Sequence, residues 1–390
     1  MHLDEETFGL LIDSVRRFVD TRLIPNEHLL AELDEVPADI LTEMRELGLF
    51  GLSIKEEHGG LGLDMEEEVR VVFQLGRTSP AFRSAFGTNV GIGSQAIVMA
   101  GSEEQKQRYL TRMANGEIVG SFALTEPEAG SDALSIKTRA VRDGDHYVLN
   151  GTKRYITNAP VAGLFSVMAR TGDGRSARDI SCFLVEAGTP GLTLGRPDKK
   201  MGQQGAKTCD VIFENCRVPA SQLLGGEEGT GFTTAMRVLD KGRLHISAMA
   251  VGAATRLIED SVRYAKERKQ FGQPIAEFQL VQAMIADSQA ETYAARSMVL
   301  DAARRRDRGE NATLTSACCK LFATEMVGRV ADRAVQIHGG AGYMAEYGIE
   351  RFYRDVRLFR IYEGTSQIQQ LVIARETVKA ADSGRTVIGA

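Results

Sequence analysis

The stretch Ile361-Tyr362-Glu363-Gly364-Thr365-Ser366-Gln367 places one carboxylate between an aromatic residue and a glycine near the C-terminus. Apolar neighbours that exclude water raise the pKa of a carboxylate toward working pH, as a catalytic base requires. Gly364 also lets a ligand approach the main chain. A glutamate before a glycine is, however, also common at the start of a helix, where the helix dipole stabilises it. The stretch alone is therefore consistent with either role.

A chain of 390 residues with 43% hydrophobic content is long enough for two or three packed units. Its 47 basic and 52 acidic residues give a net charge of −5, which offers no positive field to the phosphates of a nucleic acid. The acidic start, Met1 to Glu6, matches neither a secretory signal nor a transit peptide, and no apolar run reaches membrane-spanning length. We therefore expect a cytoplasmic protein that binds neither nucleic acid nor membrane.

The five cysteines show no paired spacing typical of metal ligands. Their odd number favours reduced, packed thiols over a disulfide framework, and we expect no metal site. These residues are Cys182, Cys209, Cys216, Cys318 and Cys319.

The pattern of apolar residues divides the chain into three parts and predicts an α+β multi-domain fold. Residues 1–117 repeat apolar side chains at helical spacing, and Ser102 can cap a helix that begins at Glu103, which predicts an N-terminal α-helical domain. Residues 118–225 contain short β-branched and aromatic runs between turns and predict a middle antiparallel β domain. The helical period returns in residues 226–390, in segments long enough for a C-terminal four-helix bundle.

The clearest turn signal in the middle domain is Asn150-Gly151, because both residues tolerate positive φ. It predicts a hairpin after a strand from His146 to Leu149. Further strands are predicted from Asp179 to Val185 and from Asp210 to Glu214.

Three further segments have the chemistry of a cofactor site. The loop from Leu124 to Asp132 offers hydroxyls and main-chain amides to a heterocycle or phosphate, although it is also an ordinary connection rich in turn formers. Tyr155-Ile156-Thr157-Asn158 combines an aromatic face with a hydroxyl, which suits stacking on an isoalloxazine ring but also fits a plain strand. Arg268, before Phe271-Gly272, can bind a pyrophosphate or simply cap helix carbonyls.

Six ordered motifs give the chain a resemblance to the acyl-CoA dehydrogenase family over nearly its full length. They are the loop from Thr125 to Asp132, Tyr155-Ile156-Thr157, Asp240-Lys241-Gly242-Arg243, Arg268-Lys269-Gln270-Phe271-Gly272, Gln336-Ile337-His338-Gly339-Gly340 and Tyr362-Glu363-Gly364-Thr365.

The resemblance implies FAD bound between the middle domain and the C-terminal bundle. Residues that would line the flavin ring are Phe122, Leu124, Thr125, Gly130, Ser131, Tyr155, Ile156 and Thr157, with Thr157 near N5. Thr365 and Gln367 would serve the adenosine side. The family also implies a homotetramer, a dimer of dimers, in which a neighbouring subunit contributes Arg268, Gln270, Phe271, Gln279, Gln336, Gly339 and Gly340.

The same resemblance assigns the substrate side of the site. Residues matching positions that contact the CoA thioester are Ser131, Asp240, Arg243, Gly364 and Arg375. One branch of the family carries its catalytic glutamate at the position of Gly242, and glycine cannot act as a base. Glu363 is therefore the expected base: it would remove the α-proton while the β-hydride passes to flavin N5, giving a trans-2-enoyl-CoA in fatty acid or carboxylic acid catabolism. An electron-transfer flavoprotein is the expected electron acceptor.

Other functions remain open at this point. An acyl-CoA oxidase of the same fold would give the same product, and a desulfinase or flavin monooxygenase branch need not keep the base. A scaffold that binds flavin without catalysis is an alternative from another class. Arg83-Ser84 resembles the pair that binds the distal carboxylate in glutaryl-CoA dehydrogenases, which suggests a dicarboxyl-CoA substrate. The alternative is an Arg83 that faces solvent or a helix carboxylate.

Overall fold

The computed structural model describes residues 4–383, so residues 1–3 and 384–390 of the two predicted outer domains lie outside it. In the described part of the chain, seven α-helices precede the first strand: α1 (Glu5–Phe18), α2 (Glu27–Leu33), α3 (Ala38–Glu46), α4 (Met65–Leu75), α5 (Pro80–Val90), α6 (Gln95–Ala100) and α7 (Glu103–Ala114). Ser102 caps α7 as expected, accepting a hydrogen bond from the Gln105 amide while the Gln105 side chain returns one to the Ser102 amide.

A seven-stranded sheet follows the helices. Its strands are β1 (Gly120–Ala123), β2 (Arg139–Asp143), β3 (His146–Thr157), β4 (Leu164–Arg170), β5 (Ile180–Glu186), β6 (Leu192–Leu194) and β7 (Thr208–Pro219). The order is β1-β4-β2-β3-β7-β6, with β5 paired to β4. The sheet is not wholly antiparallel as predicted, because β1 runs parallel to β4.

The predicted hairpin turn at Asn150-Gly151 is wrong. These two residues lie inside β3, which continues to Thr157. The β3–β7 register shifts between Leu149 and Gly151, so the positive φ of Gly151 (149°) serves a bulge rather than a turn. A Cβ at Gly151 would lie 2.4 Å from the Thr138 hydroxyl. The actual turn precedes β3, where Gly144 takes a positive φ of 63°.

The C-terminal part is a helical bundle of α8 (Gly231–Glu267), α9 (Gln279–Asp307), α10 (Thr313–His338), α11 (Ile349–Val356) and α12 (Ser366–Asp382). A short hairpin of β8 (Lys269–Gln270) and β9 (Gln273–Pro274) joins α8 to α9. Among residues 4–383, no helix is both long and apolar enough to cross a membrane.

Helix α4 belongs to the N-terminal part in sequence but packs in the core of the bundle. Its Met65, Val69 and Phe73 are buried in one cluster with side chains of α8, α9, α10 and α11. Asp307, at the end of α9, accepts hydrogen bonds from the Met65 and Glu66 amides at 2.8 and 2.9 Å and so caps α4. The two helical parts are thus joined by both apolar and polar contacts.

Candidate active site

A cavity of about 240 Å³ lies where α5, α8, the sheet and the turn before α12 meet. It brings together most of the site residues expected from the sequence. Those that line it are Arg83, Ser84, Phe122, Leu124, Thr125, Gly130, Ser131, Tyr155, Ile156, Thr157, Arg243, Glu363 and Gly364.

The Glu363 carboxylate is held inside this cavity without a hydrogen-bond partner for its buried Oε2. Loss of solvent raises the pKa of Glu363, while the positive charges of Arg83, Lys320 and Arg243 act in the opposite direction. A Cβ built on Gly242 would lie 2.2 Å from Oε2. The glycine at position 242 therefore provides the space that the carboxylate occupies.

The turn that carries Glu363 has an unusual backbone. Glu363 itself has a φ of 53°, in the left-handed region that costs free energy for a residue other than glycine. Gly364 follows with a φ of 88°, and a Cβ there would lie 2.5 Å from the Gln369 side-chain nitrogen. The surrounding structure must therefore stabilise this turn.

Two buried side chains supply that stabilisation. Lys320, on α10 and fully buried, donates from Nζ to the Gly364 carbonyl at 2.7 Å. Gln369 donates from Nε2 to the carbonyls of Glu363 and Gly364 at 3.2 and 3.0 Å. Within residues 4–383 the amides of Glu363 and Gly364, two residues that line the cavity, donate no hydrogen bond.

The loop after β1 is fixed to the sheet by a buried ion pair. Glu126 turns inward and contacts Lys153 Nζ at 2.7 Å, and it accepts hydrogen bonds from the Lys137 and Thr138 amides. The Arg154 amide donates to the Thr125 carbonyl at 2.8 Å. These contacts place the Thr125 side of the loop beside the end of β3, where Tyr155 and Thr157 face the same cavity.

Arg243 is the other cation of the cavity wall beside Arg83. Its Nη1 donates to Asp240 Oδ1 at 2.6 Å, and Asp240 also accepts from the Thr313 hydroxyl at 2.9 Å. The buried Nε of Arg243 has no partner. Asp240 does not line the cavity and acts on it through Arg243.

The remaining residues singled out from the sequence lie away from the cavity. Thr365 caps α12, accepting from the Ile368 amide at 3.3 Å, and Phe271 at the β8–β9 turn is 95% exposed. The others, exposed on the bundle, are Arg268, Gln270, Gln279, Gln336, Gly339, Gly340, Gln367 and Arg375. Their expected contacts with cofactor and CoA remain predictions.

Sequence reasoning missed three buried polar residues near the cavity. Lys320 carries no recognisable pattern in the sequence, and Glu68 is one of three consecutive glutamates at the start of α4. His245 lies between Glu68 and Arg83 and hydrogen-bonds both. Within residues 4–383 no group of side chains is suited to hold a metal ion.

Family models match all three parts of the chain. The N-terminal, middle and C-terminal domains of acyl-CoA dehydrogenase match residues 5–117, 121–216 and 229–378. The Bacillus subtilis (strain 168) protein named "Probable acyl-CoA dehydrogenase YngJ" is 44% identical over 368 residues, covering 94% of this chain and 97% of that protein. The acryloyl-CoA reductase (NADH) of Anaerotignum propionicum is 44% identical over 366 residues, covering 93% and 92%. A caffeyl-CoA reductase–Etf complex subunit of Acetobacterium woodii is 40% identical over 348 residues, covering 89% and 92%.

Solved structures agree with these matches. Butyryl-CoA dehydrogenase from Megasphaera elsdenii superposes with a TM-score of 0.92 at 34% identity, covering 97% of this chain and 99% of that one. A glutaryl-CoA dehydrogenase in complex with glutaryl-CoA gives a TM-score of 0.93 at 32% identity, covering 100% and 99%. The predicted fold class is confirmed, and the chain belongs to the acyl-CoA dehydrogenase family of oxidoreductases.

Proposed function

We propose that the protein oxidises an acyl-CoA thioester to the trans-2-enoyl-CoA, with Glu363 as the base that removes the α-proton. The observation that supports this most is the Glu363 carboxylate, whose Oε2 is buried in the cavity without a partner. Because loss of solvent raises its pKa, this carboxylate is a stronger proton acceptor than one in water. The β-hydrogen leaves as hydride, so both electrons of that bond go to the cofactor.

FAD is the cofactor of this family, and the cavity lining carries groups that suit its flavin ring. Tyr155 supplies an aromatic face, and Thr125 and Thr157 supply hydroxyls from the sheet part of the cavity lining. Bound FAD supplies the acceptor for the β-hydride. The residues that would hold its ring are those on the loop after β1 and at the end of β3.

The chain itself supplies the electrostatic part of catalysis. Removing an α-proton leaves enolate-like charge on the thioester oxygen, which needs preorganised donors. The free amides of Glu363 and Gly364 are such donors beside the base. Arg243, with an unpaired buried Nε, adds positive charge to the same wall.

A panel of acyl-CoA thioesters, added without oxygen to the purified protein, tests the proposed reaction. A substrate should bleach the flavin absorbance and yield an enoyl-CoA by mass spectrometry. We propose an electron-transfer flavoprotein as the partner, because one relative belongs to an Etf complex. This partner should reoxidise the reduced flavin faster than oxygen does. Rapid reoxidation by oxygen would instead identify an oxidase, and a flavin that no thioester bleaches would contradict the proposal.

Lys320 offers a test by pH. Because the pKa of Glu363 is raised, the base is protonated at low pH, and kcat/KM should increase as the pH rises through that pKa. Lys320 lowers this pKa by its charge, so both Lys320→Met and Lys320→Gln should move the acidic limb of the kcat/KM profile to higher pH by roughly one unit. Gln keeps a donor to the Gly364 carbonyl and Met does not, which separates charge from hydrogen bonding. An unmoved acidic limb in both variants would mean that Lys320 does not act on Glu363.

We further propose that the protein assembles as a homotetramer whose neighbouring subunits complete the cofactor sites. The exposed hairpin with Arg268 and Phe271 is available for such a contact. Arg268→Ala should then reduce FAD retention and assembly together, measured by size-exclusion chromatography with absorbance at flavin wavelengths. Lys266→Ala, at the same exposed helix end, is the matched control. Stable monomers that retain FAD would contradict the proposal.

A specific observation favours a substrate with a distal carboxylate. Arg83 lines the cavity instead of facing solvent, and no carboxylate within residues 4–383 forms an ion pair with it. A fixed guanidinium in an acyl cavity is costly with a methyl group and favourable with a carboxylate. We therefore propose a short dicarboxyl-CoA, such as glutaryl-CoA, as the preferred substrate.

Arg83→Met tests this preference. Because the charge of Arg83 also lowers the pKa of Glu363, both substrates are compared at a pH where kcat/KM no longer rises. There the variant should lower the ratio of kcat/KM for glutaryl-CoA to that for butyryl-CoA by roughly 30-fold or more, equivalent to about 2 kcal/mol. Equal losses on the two substrates would show that Arg83 does not recognise a carboxylate.

A further inference from the structure

A row of four hydrogen-bonded side chains runs from the cavity wall into the interior. Arg83 Nη2 lies 2.9 Å from His245 Nδ1, and His245 Nε2 lies 2.7 Å from Glu68 Oε2. The other oxygen of Glu68 accepts from Lys241 Nζ at 2.7 Å. The row connects three helices, since Arg83 is on α5, Glu68 on α4 and the other two on α8.

The inner members of the row are almost wholly removed from water. His245, Glu68 and Lys241 are 0%, 2% and 6% exposed. A buried charge is destabilising unless it is paired and hydrogen-bonded. Lys241 neutralises Glu68 here, and both carboxylate oxygens of Glu68 are used. Removing one member of the row would leave its neighbours in the row without a hydrogen-bond partner in the interior.

The row fixes the tautomer of His245. Burial lowers the pKa of His245 to about 4, so the ring is neutral at neutral pH. A carboxylate only accepts hydrogen bonds, which places the ring proton on Nε2, toward Glu68. Nδ1 then carries a lone pair and accepts from the Arg83 guanidinium. The acceptor beside Arg83 is therefore neutral and leaves the arginine charge uncompensated at that edge.

Gly87 provides the space in which the guanidinium lies. A Cβ at position 87 would be 2.6 Å from Arg83 Nη1 and 2.8 Å from Cζ. The guanidinium is thus confined between Gly87 on its own helix and His245 on α8, and it lines the same cavity as Glu363. Neither confining residue carries a charge that would compete with a ligand.

We infer that His245 and Glu68 are positioning residues for Arg83: they hold one edge of its guanidinium so that the remaining N–H groups face the acyl end of the substrate. The inference rests on the proposed role of Arg83 in carboxylate recognition. Preorganised donors lose little freedom when a ligand binds, and small misplacements are costly. Discrimination between a terminal carboxylate and a terminal methyl group should therefore depend on His245, although His245 contacts neither.

The test uses His245→Leu and His245→Gln in the FAD-loaded protein, with flavin content and thermal midpoint measured for each. His245→Leu should lower the ratio of kcat/KM for glutaryl-CoA to that for butyryl-CoA by about tenfold or more. Gln can accept from Arg83 and donate to Glu68, so it should restore most of the preference. In the Arg83→Met background, His245→Leu should not change the glutaryl-to-butyryl ratio further, because the pair acts as a unit.

A crystal structure of the His245→Leu variant provides a readout independent of activity. The Arg83 guanidinium should leave its place against Gly87. Three results would each overturn the inference. The first is a guanidinium that has not moved, and the second is an equal loss of kcat/KM on both substrates. The third is a double variant in which the effects of His245→Leu and Arg83→Met on the ratio multiply. If Arg83→Met itself leaves the ratio unchanged, the proposed carboxylate recognition fails, and the position of Arg83 in the variant structure decides whether His245 positions it. If the His245→Leu variant does not fold, the His245→Gln variant is crystallised in the same way. An Arg83 guanidinium in its original place, together with a retained preference for glutaryl-CoA over butyryl-CoA, supports the inference.

Discussion

Replacing Glu363 with glutamine is expected to leave a folded yellow protein that no longer oxidises acyl-CoA. The amide is nearly isosteric with the carboxylate but cannot accept the α-proton. The rate of flavin bleaching by substrate should fall by about 10²-fold to 10⁴-fold. The measurement is anaerobic stopped-flow absorbance at flavin wavelengths, with FAD content determined on the same samples.

Glu104→Gln is the matched control for this variant. Glu104 is exposed on α7 and lies outside the cavity, so its substitution should leave the bleaching rate unchanged. Full activity in the Glu363→Gln protein would show that another residue acts as base. Loss of FAD from that protein would show that Glu363 contributes to cofactor binding as well.

The second large effect is expected from adding a single methyl group at Gly242. The Cβ of Gly242→Ala would lie 2.2 Å from Glu363 Oε2 and 2.9 Å from its carboxyl carbon, so the carboxylate must move. A displaced base should lower kcat/KM by roughly 10²-fold. Alanine is also the better helix former within α8, so the activity should fall without loss of helix stability.

Gly9→Ala is the control for this variant, because a Cβ at Gly9 on α1 would meet nothing within 4 Å. Activity and thermal unfolding are measured for both proteins. A Gly242→Ala enzyme with wild-type kcat/KM would mean that Glu363 reaches the substrate from another position than the one it holds here.

The sequence predicted the parts of the fold and site that depend on local patterns. Helical periodicity and the Ser102 N-cap predicted α7 and the helical parts. The family resemblance carried by the ordered motifs implied many of the residues that line the cavity. The error at Asn150-Gly151 came from the same kind of local signal. Positive φ is needed at both a hairpin turn and a bulge, and only the pairing of β3 with β7 decides between them.

Contacts between distant segments were beyond the sequence. Nothing local to Glu68 indicates that it contacts His245, which is 177 positions away. The same holds for Glu126 and Lys153, the buried ion pair that fixes the loop after β1. Spacing places residues on a face of one helix, but it does not say which face of another helix lies opposite. The orientation of Arg83 toward the cavity could be settled only by the packing of α5 against α8.

The place of α4 in the bundle core has a consequence for how the chain acquires its structure during synthesis. Met65, Val69 and Phe73 have left the ribosome long before α9 and α10, which cover them, are made. Until then an apolar helix face stays exposed, and its closure requires contacts of very high sequence separation. The bundle and the N-terminal helices should therefore become stable together and late, and a nascent chain stalled in the middle domain would present this face to chaperones.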